Sequence, residues 1–154
     1  MVHNVIGNLL DSNCDYICHQ VNCQGVMGSG IAKQIRERWP KVYESYVHYV
    51  DRHNRDGIGL LGKILISNIS GRPKVINMFS QDMYGYDGMR YTSYDAFANC
   101  LTTIGIHVPK SQSIGFPKNI GCGLGGGNWK VISALIEEIL GKDYEVYIYE
   151  YYGE

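Results

Sequence analysis

The chain has 154 residues and a net charge of −1, with 19 glycines, 13 tyrosines and five cysteines. That length is enough for one domain, residues 1–154, with a core of its own. The charge offers no basic field to hold nucleic acid as the main partner, and no apolar run approaches the ~18 residues of a membrane span. The first residues alternate polar and apolar and do not form a charged-then-apolar leader. The cysteines, Cys14, Cys18, Cys23, Cys100 and Cys122, follow no zinc or disulfide spacing and read as reduced thiols in a cytoplasmic compartment.

In chain order, residues 3–6 (H-N-V-I) read as a short strand closed by Gly7-Asn8, and residues 9–15 as a loop. Residues 16–21 (Y-I-C-H-Q-V) suit a central strand buried on both faces. His19, Gln20 and Asn22 stand at its carboxyl end, where ligands gather in open α/β sheets. A glycine cluster follows, Gly25-Val26-Met27-Gly28-Ser29-Gly30, then I-A-K-Q-I-R-E-R-W-P. Ile31, Ala32, Ile35 and Trp39 share one helical face, and Pro40 stops that helix.

Residues 41–53 form a second helical run with Val42, Tyr43, Tyr46, Val47 and Val50 on one face. Residues 60–69 and 74–79 read as neighbouring strands, joined by the turn Ser70-Gly71-Arg72-Pro73. Residues 80–91 are polar, aromatic and aperiodic, a loop suited to one wall of a cleft. Thr92 or Ser93 can cap the next helix, which carries Tyr94, Phe97, Ala98, Leu101 and Ile104 on one side. Residues 113–116 with Pro117 form a buried strand, 128–140 an amphipathic helix, and 144–151 a closing strand. Helices dispersed between strands argue for a mixed sheet covered on both faces, an α/β/α sandwich.

The stretch 120–129, I-G-C-G-L-G-G-G-N-W, has glycine at 121, 123, 125, 126 and 127. Strand, glycine loop and helix N-terminus in that order make an anion site, since free backbone N–H groups and the helix dipole converge there. The same order occurs at the first glycine cluster. Neither loop has the G-x-G-x-x-G or Gly-Lys-Ser/Thr spacing of dinucleotide or P-loop sites. Two loops gripping the ends of a diphosphate account for both. A structural surface loop is the alternative for either one alone. No metal cluster and no cofactor fingerprint is visible.

H-Q-V-N-C-Q-G-V-M-G-S-G-I-A, a helix ending in W-P, and the later I-G-C-G-L-G-G-G-N-W resemble a macro domain, over nearly the whole chain. The resemblance implies a six-stranded mixed sheet, and ADP-ribose or a derivative as the ligand. It places the diphosphate and the far ribose at Gly28, Ser29, Gly30 and Ile31 and at Gly121, Cys122, Gly123, Leu124, Gly125 and Gly126. Asn22 matches the asparagine that meets the far ribose, with Gln20 beside it. Asn8 and Leu9 follow the first strand and Tyr151 ends the last one, which puts them at the adenine.

The departures from the family pattern matter. Many relatives have Gly-Asp where this chain has Gly7-Asn8, so adenine would be met by a carboxamide. The branch that frees ADP-ribose from glutamate uses a lysine and an aspartate; here the matching places are the Ser80-Gln81 region and Gly125. The ADP-ribose 1''-phosphate phosphatase branch reads H-x-x-N-C-x-G, which His19, Asn22, Cys23 and Gly25 reproduce, and Gly-Asn after the first strand.

The resemblance therefore implies a hydrolase, nearest that phosphatase branch, with His19 as a general acid or base. The alternatives are a strand-end histidine of purely structural use in a non-catalytic ADP-ribose reader, or a hydrolase freeing ADP-ribose from an ADP-ribosylated macromolecule, protein or nucleic acid, with basic residues near Arg90 and Lys118. Nothing in the sequence specifies an oligomeric state.

Overall fold

The computed structural model describes residues 1–152 apart from Arg72, so that part of the turn at 70–73 lies outside the described residues. In chain order the elements are β1 (Val2–Ile6), β2 (Tyr16–Asn22), α1 (Gly30–Arg38), α2 (Pro40–Asp56), β3 (Ile64–Ser67) and β4 (Lys74–Gln81). They continue with α3 (Tyr94–His107), β5 (Ile114–Pro117), α4 (Trp129–Ile136) and β6 (Val146–Glu150). One six-stranded sheet runs β1-β6-β5-β2-β4-β3. All neighbours are parallel except β3, which runs antiparallel to β4. The three-layer α/β sandwich with a mixed six-stranded sheet expected from the sequence is therefore the observed fold.

The apolar run of β2 holds the middle because helices cover both its faces. Tyr16 and Cys18 pack with Phe97, Leu101 and Ile104 of α3 and Ile132 and Ile136 of α4. Ile17 packs with Ile35 of α1 and Val42 of α2, and Val21 with Tyr46 and Val50 of α2. Alternate residues thus meet opposite layers, as the pleat requires. A register shift between Val21 and Asn22 breaks that alternation where the strand meets the first glycine loop.

Several boundaries differ from the sequence expectation. Of the expected strand at 60–69 only Ile64–Ser67 is regular strand; Gly62 N and Lys63 O still bond Phe79 of β4, but Lys63 N closes a turn on Leu60 O at 2.9 Å. The loop at 9–15 contains a 3-10 turn, Leu9–Asp11, capped by Asn8. The closing helix ends in a π-helical turn, Glu137–Gly141. There the amino group of Met1 donates to the carbonyls of Gly141 and Tyr144. The five cysteines are free, and all but Cys122 are buried.

Candidate active site at the carboxyl ends of the central strands

The carboxyl ends of β2, β4 and β5 open into a cleft of about 450 Å³, within the usual range of ligand pockets. Both glycine loops line it. Gly28, Ser29, Gly30 and Ile31 form one side, and Gly121, Gly123, Leu124 and Gly125 the other. Gln20 and Asn22 lie at its floor, between the loops. Loop 82–91 supplies a wall, as its composition suggested, through Tyr84, Gly85 and Tyr86. At one end the cleft adjoins a second hollow that shares Ile31, Pro117, Lys118 and Asn119 with it. Asn8, Leu9, Tyr149, Tyr151 and Tyr152 line that hollow.

The first loop leaves a helix terminus unoccupied by the protein itself. Ser29 is the N-cap of α1 by backbone geometry, yet its side chain makes no capping bond. The first-turn N–H groups of α1 therefore remain available to an acceptor in the cleft. The loop behind them is held by Asn22. Its Nδ2 donates to Val26 O at 2.8 Å, and its Oδ1 accepts from Gln24 N at 3.0 Å. The Tyr46 hydroxyl sits 2.6 Å from Asn22 O and 2.9 Å from its Oδ1. Asn22 lines the cleft as expected, but both ends of its carboxamide shape the loop.

The second loop is built differently from the sequence expectation. Asn128 accepts from Lys130 N through its side chain and caps α4. No α4 residue lines the cleft. The helix N-terminus expected to bind an anion here is thus satisfied internally, and the loop itself faces the ligand space. Its shape comes from contacts beneath it. Ser80 Oγ donates to Gln20 Oε1 at 2.7 Å, and Gln20 Nε2 donates to Gln81 Oε1 at 2.8 Å and to Thr92 Oγ1 at 2.9 Å. Thr92 Oγ1 donates to Gly121 O at 2.7 Å. Cys122 and Gly126, expected at the ligand, do not line the cleft. The Cys122 thiol turns to the core side and bonds Ile120 O, and Gly126 packs against Met89 and Arg90.

His19 is the principal correction. It is fully buried and does not line the cleft. As an odd-numbered position of β2 it faces the α1/α2 layer, like Ile17 and Val21, whereas Gln20 faces the other way. Its Nε2 lies 2.7 Å from Asn77 Oδ1. Asn77 donates through Nδ2 to Leu65 O and Ser67 Oγ. Its carbonyl oxygen therefore faces the ring, and Nε2 must carry the proton. Nδ1 is then a bare lone pair, with no partner among the described residues. Burial lowers the His19 pKa to about 4, against a partly compensating bond from Asn77. A neutral, enclosed imidazole cannot exchange protons with a substrate in the cleft.

Other candidate catalysts are scarce. Lys118 is the one charged side chain lining the cleft among the described residues, and its Nζ is 3.3 Å from Glu150 Oε2. Burial and the neighbouring Asp82 push Cys23 up to about 12, and burial raises Cys122, so neither is a thiolate at neutral pH. No His, Cys, Asp and Glu group among the described residues could hold a metal. At the hollow, Asn8 Oδ1 already accepts from Leu10 N at 3.0 Å. The carbonyl that the sequence offered to adenine is thus part of a cap. Lys118, expected from sequence only as a basic residue for a macromolecular substrate, lines the cleft itself, and Tyr149 lines the hollow without any local sequence pattern that marks it.

The Macro domain family model matches residues 18–136. Over 154 residues the chain is 29% identical to a DNA ADP-ribosyl glycohydrolase of Thermus aquaticus, covering 97% of this chain and 41% of that protein. Over 79 residues it is 32% identical to an ADP-ribose 1''-phosphate phosphatase of Meyerozyma guilliermondii, covering 45% of each. The chain thus spans under half the length of these two relatives. Among solved structures, the macrodomain of Thermus aquaticus DarG superposes with a TM-score of 0.80 at 25% identity, covering 97% of this chain and 98% of that one.

Proposed function

The chain belongs to the macro domain family, and from that premise we propose that it binds ADP-ribose and hydrolyses a derivative substituted at the far ribose, with the 1''-phosphate ester as the first candidate. The observation that carries this reading is the meeting of two glycine loops, from distant parts of the chain, in one cleft that adjoins a tyrosine-lined hollow. Adenosine would lie in the hollow by Asn8, Leu9 and Tyr151. The diphosphate would lie between the loops, on the uncapped N-terminus of α1 and the backbone of Gly123 to Gly125. The far ribose would face Gln81 and Tyr84.

Backbone N–H groups suit this ligand. They hold phosphate without a cluster of cations, which the cleft does not contain. Among the described residues the lining offers no carboxylate, imidazole or thiol to move a proton. The chemistry therefore falls to a water held against the far ribose, with the ligand's own phosphate oxygens as the nearest bases. Without a protein general base, turnover should lack the roughly 10²–10⁴-fold that such a group contributes.

A second reading is removal of ADP-ribose from a nucleic-acid base. It is favoured by Tyr84 and Tyr86, both exposed at the rim of the cleft beside Gln81, because a base can stack on such rings. Turnover of ADP-ribose 1''-phosphate and of an ADP-ribosylated DNA oligonucleotide, measured side by side, tests both readings. Phosphate release supports the first, and release of ADP-ribose from DNA the second. Tight binding of ADP-ribose with no turnover of either would leave a reader.

A further inference from the structure

Thr92 was a candidate helix cap from sequence, but Ser93 takes that role, its Oγ accepting from Ala96 N at 3.1 Å. Thr92 is instead 2% exposed and turned inward beneath the second glycine loop. There it is the hub of the hydrogen-bonded chain Ser80–Gln20–Thr92–Gly121. The direction of that chain is forced. Gly121 O can only accept, so the single Thr92 proton goes there, and Thr92 Oγ1 accepts from Gln20. Rotating the Gln20 carboxamide would set its oxygen against the Thr92 and Gln81 oxygens, so its orientation is fixed as well.

The same residue holds the loop at a second point. Thr92 N and Tyr91 N both donate to Gly125 O, at 2.9 and 2.7 Å. A Cβ on Gly125 would come within 2.5 Å of Thr92 Oγ1, and one on Gly121 within 2.9 Å of Gln20 Oε1. The loop's glycines thus let it lie directly on this relay. A glycine-rich loop free in solution would lose backbone entropy when a ligand ordered it. Here the protein orders it in advance.

We infer that Thr92 is a positioning residue, which through its hydroxyl and backbone N–H holds the second glycine loop in the form that receives the diphosphate and fixes it to the wall that carries Tyr84 and Tyr86. This rests on the ADP-ribose reading above. It assigns work to a residue that does not itself line the cleft.

Thr92→Val removes the hydroxyl at nearly constant shape, leaves a buried Gln20 proton unpaired, and leaves Gly121 O with its bond from Gly127 N alone. The expected result is a loss of ADP-ribose affinity of about tenfold or more, typical of a buried hydrogen bond removed with its partners left behind. Thr92→Ser should stay within about threefold of the parent, because the hydroxyl is restored. Affinity for AMP, which lacks the second phosphate, should change little in either variant. Amide exchange at residues 121–127 of the free protein should speed up in Thr92→Val, while that of β6 stays as in the parent. Ser80→Ala, at the far end of the relay, should show the same pattern more weakly.

If the parent does not bind ADP-ribose, the functional reading fails, and the exchange data alone judge the relay. If the parent binds and Thr92→Val binds equally well, the positioning role is wrong. It is also wrong if Thr92→Val loses AMP and ADP-ribose alike and serine restores neither.

Discussion

The two glycine loops face each other across one cleft, yet their glycines exist for different reasons. In the first, a Cβ on Gly28 would meet only Val26, at 3.6 Å, and one on Gly30 nothing within 4 Å. In the second, a Cβ on Gly126 would strike Met89 O at 2.8 Å, and one on Gly127 Gly121 O at 2.8 Å. Gly123 is the exception there, with nothing within 4 Å. In the first loop Gly25 and Gly30 are held at positive φ, and Gly28 leaves open room at the cleft. In the second, most glycines let the loop sit close on the protein's own atoms. A glycine-rich motif can therefore be a mark of ligand approach or of internal packing, and only the neighbours distinguish them.

The largest effect should come from breaking the packed loop. Gly126→Val puts a β-branched side chain at φ +73 and into the Met89–Arg90 backbone. Strain and overpacking together should cost on the order of 4 kcal/mol. Urea unfolding would read this as a large fall in midpoint, with ADP-ribose binding lost too. A Gly126→Val protein as stable as the parent would contradict the packed-loop account.

The strand beneath the loops gives the next effect. Folded His19 titrates near 4, below its ordinary 6.5, because burial disfavours the charged ring. Between those values the unfolded chain takes up a proton that the folded chain refuses. Stability from this group is full above about pH 6.5 and falls as pH drops toward 4, by about 3 kcal/mol in total. Urea midpoints across that range should slope accordingly in the parent and flatten in His19→Gln. An unchanged slope would remove His19 as the cause. The same variant should keep its turnover if the ring has no part in the chemistry.

The smallest effect on stability should come from the open glycines. Gly123→Val and Gly28→Ala should each change unfolding free energy by no more than about 0.5 kcal/mol. Yet each places carbon in the cleft, and ADP-ribose affinity should drop by about tenfold or more. Calorimetry alongside thermal unfolding separates the two quantities. Should Gly123→Val unfold early, the loops are less different than their neighbours indicate.

Much of this was legible in the sequence. The run at 16–21 and the helical faces at Ile35 and at Val42, Tyr46 and Val50 carry their periods openly. The glycine clusters named both sides of the cleft. His19 was misplaced because it was judged by its nearness to the strand end; the pleat alternation that sets it opposite Gln20 was available in the same six residues. Thr92 was beyond reach. Its partner Gln20 is 72 residues away, and a threonine before a helix reads locally as a cap. Likewise the closure of α4 by Asn128 is a side-chain rotamer choice that composition does not reveal.

The placement of β2 has a consequence for how the protein is made. It pairs with β4 on one side and β5 on the other, both parallel, and Ser113 N donates to Asp15 across 98 residues of sequence. Parallel pairing at such distance must wait for long loops to close, which slows folding. On a ribosome the first glycine loop would emerge early and stay without its opposite wall until the strand before the second loop had followed. Assembly of the cleft is then among the last steps of folding, so a nascent chain would acquire ligand affinity only when its sheet is nearly complete. Ligand present during synthesis would trap finished molecules and leave earlier intermediates unaffected.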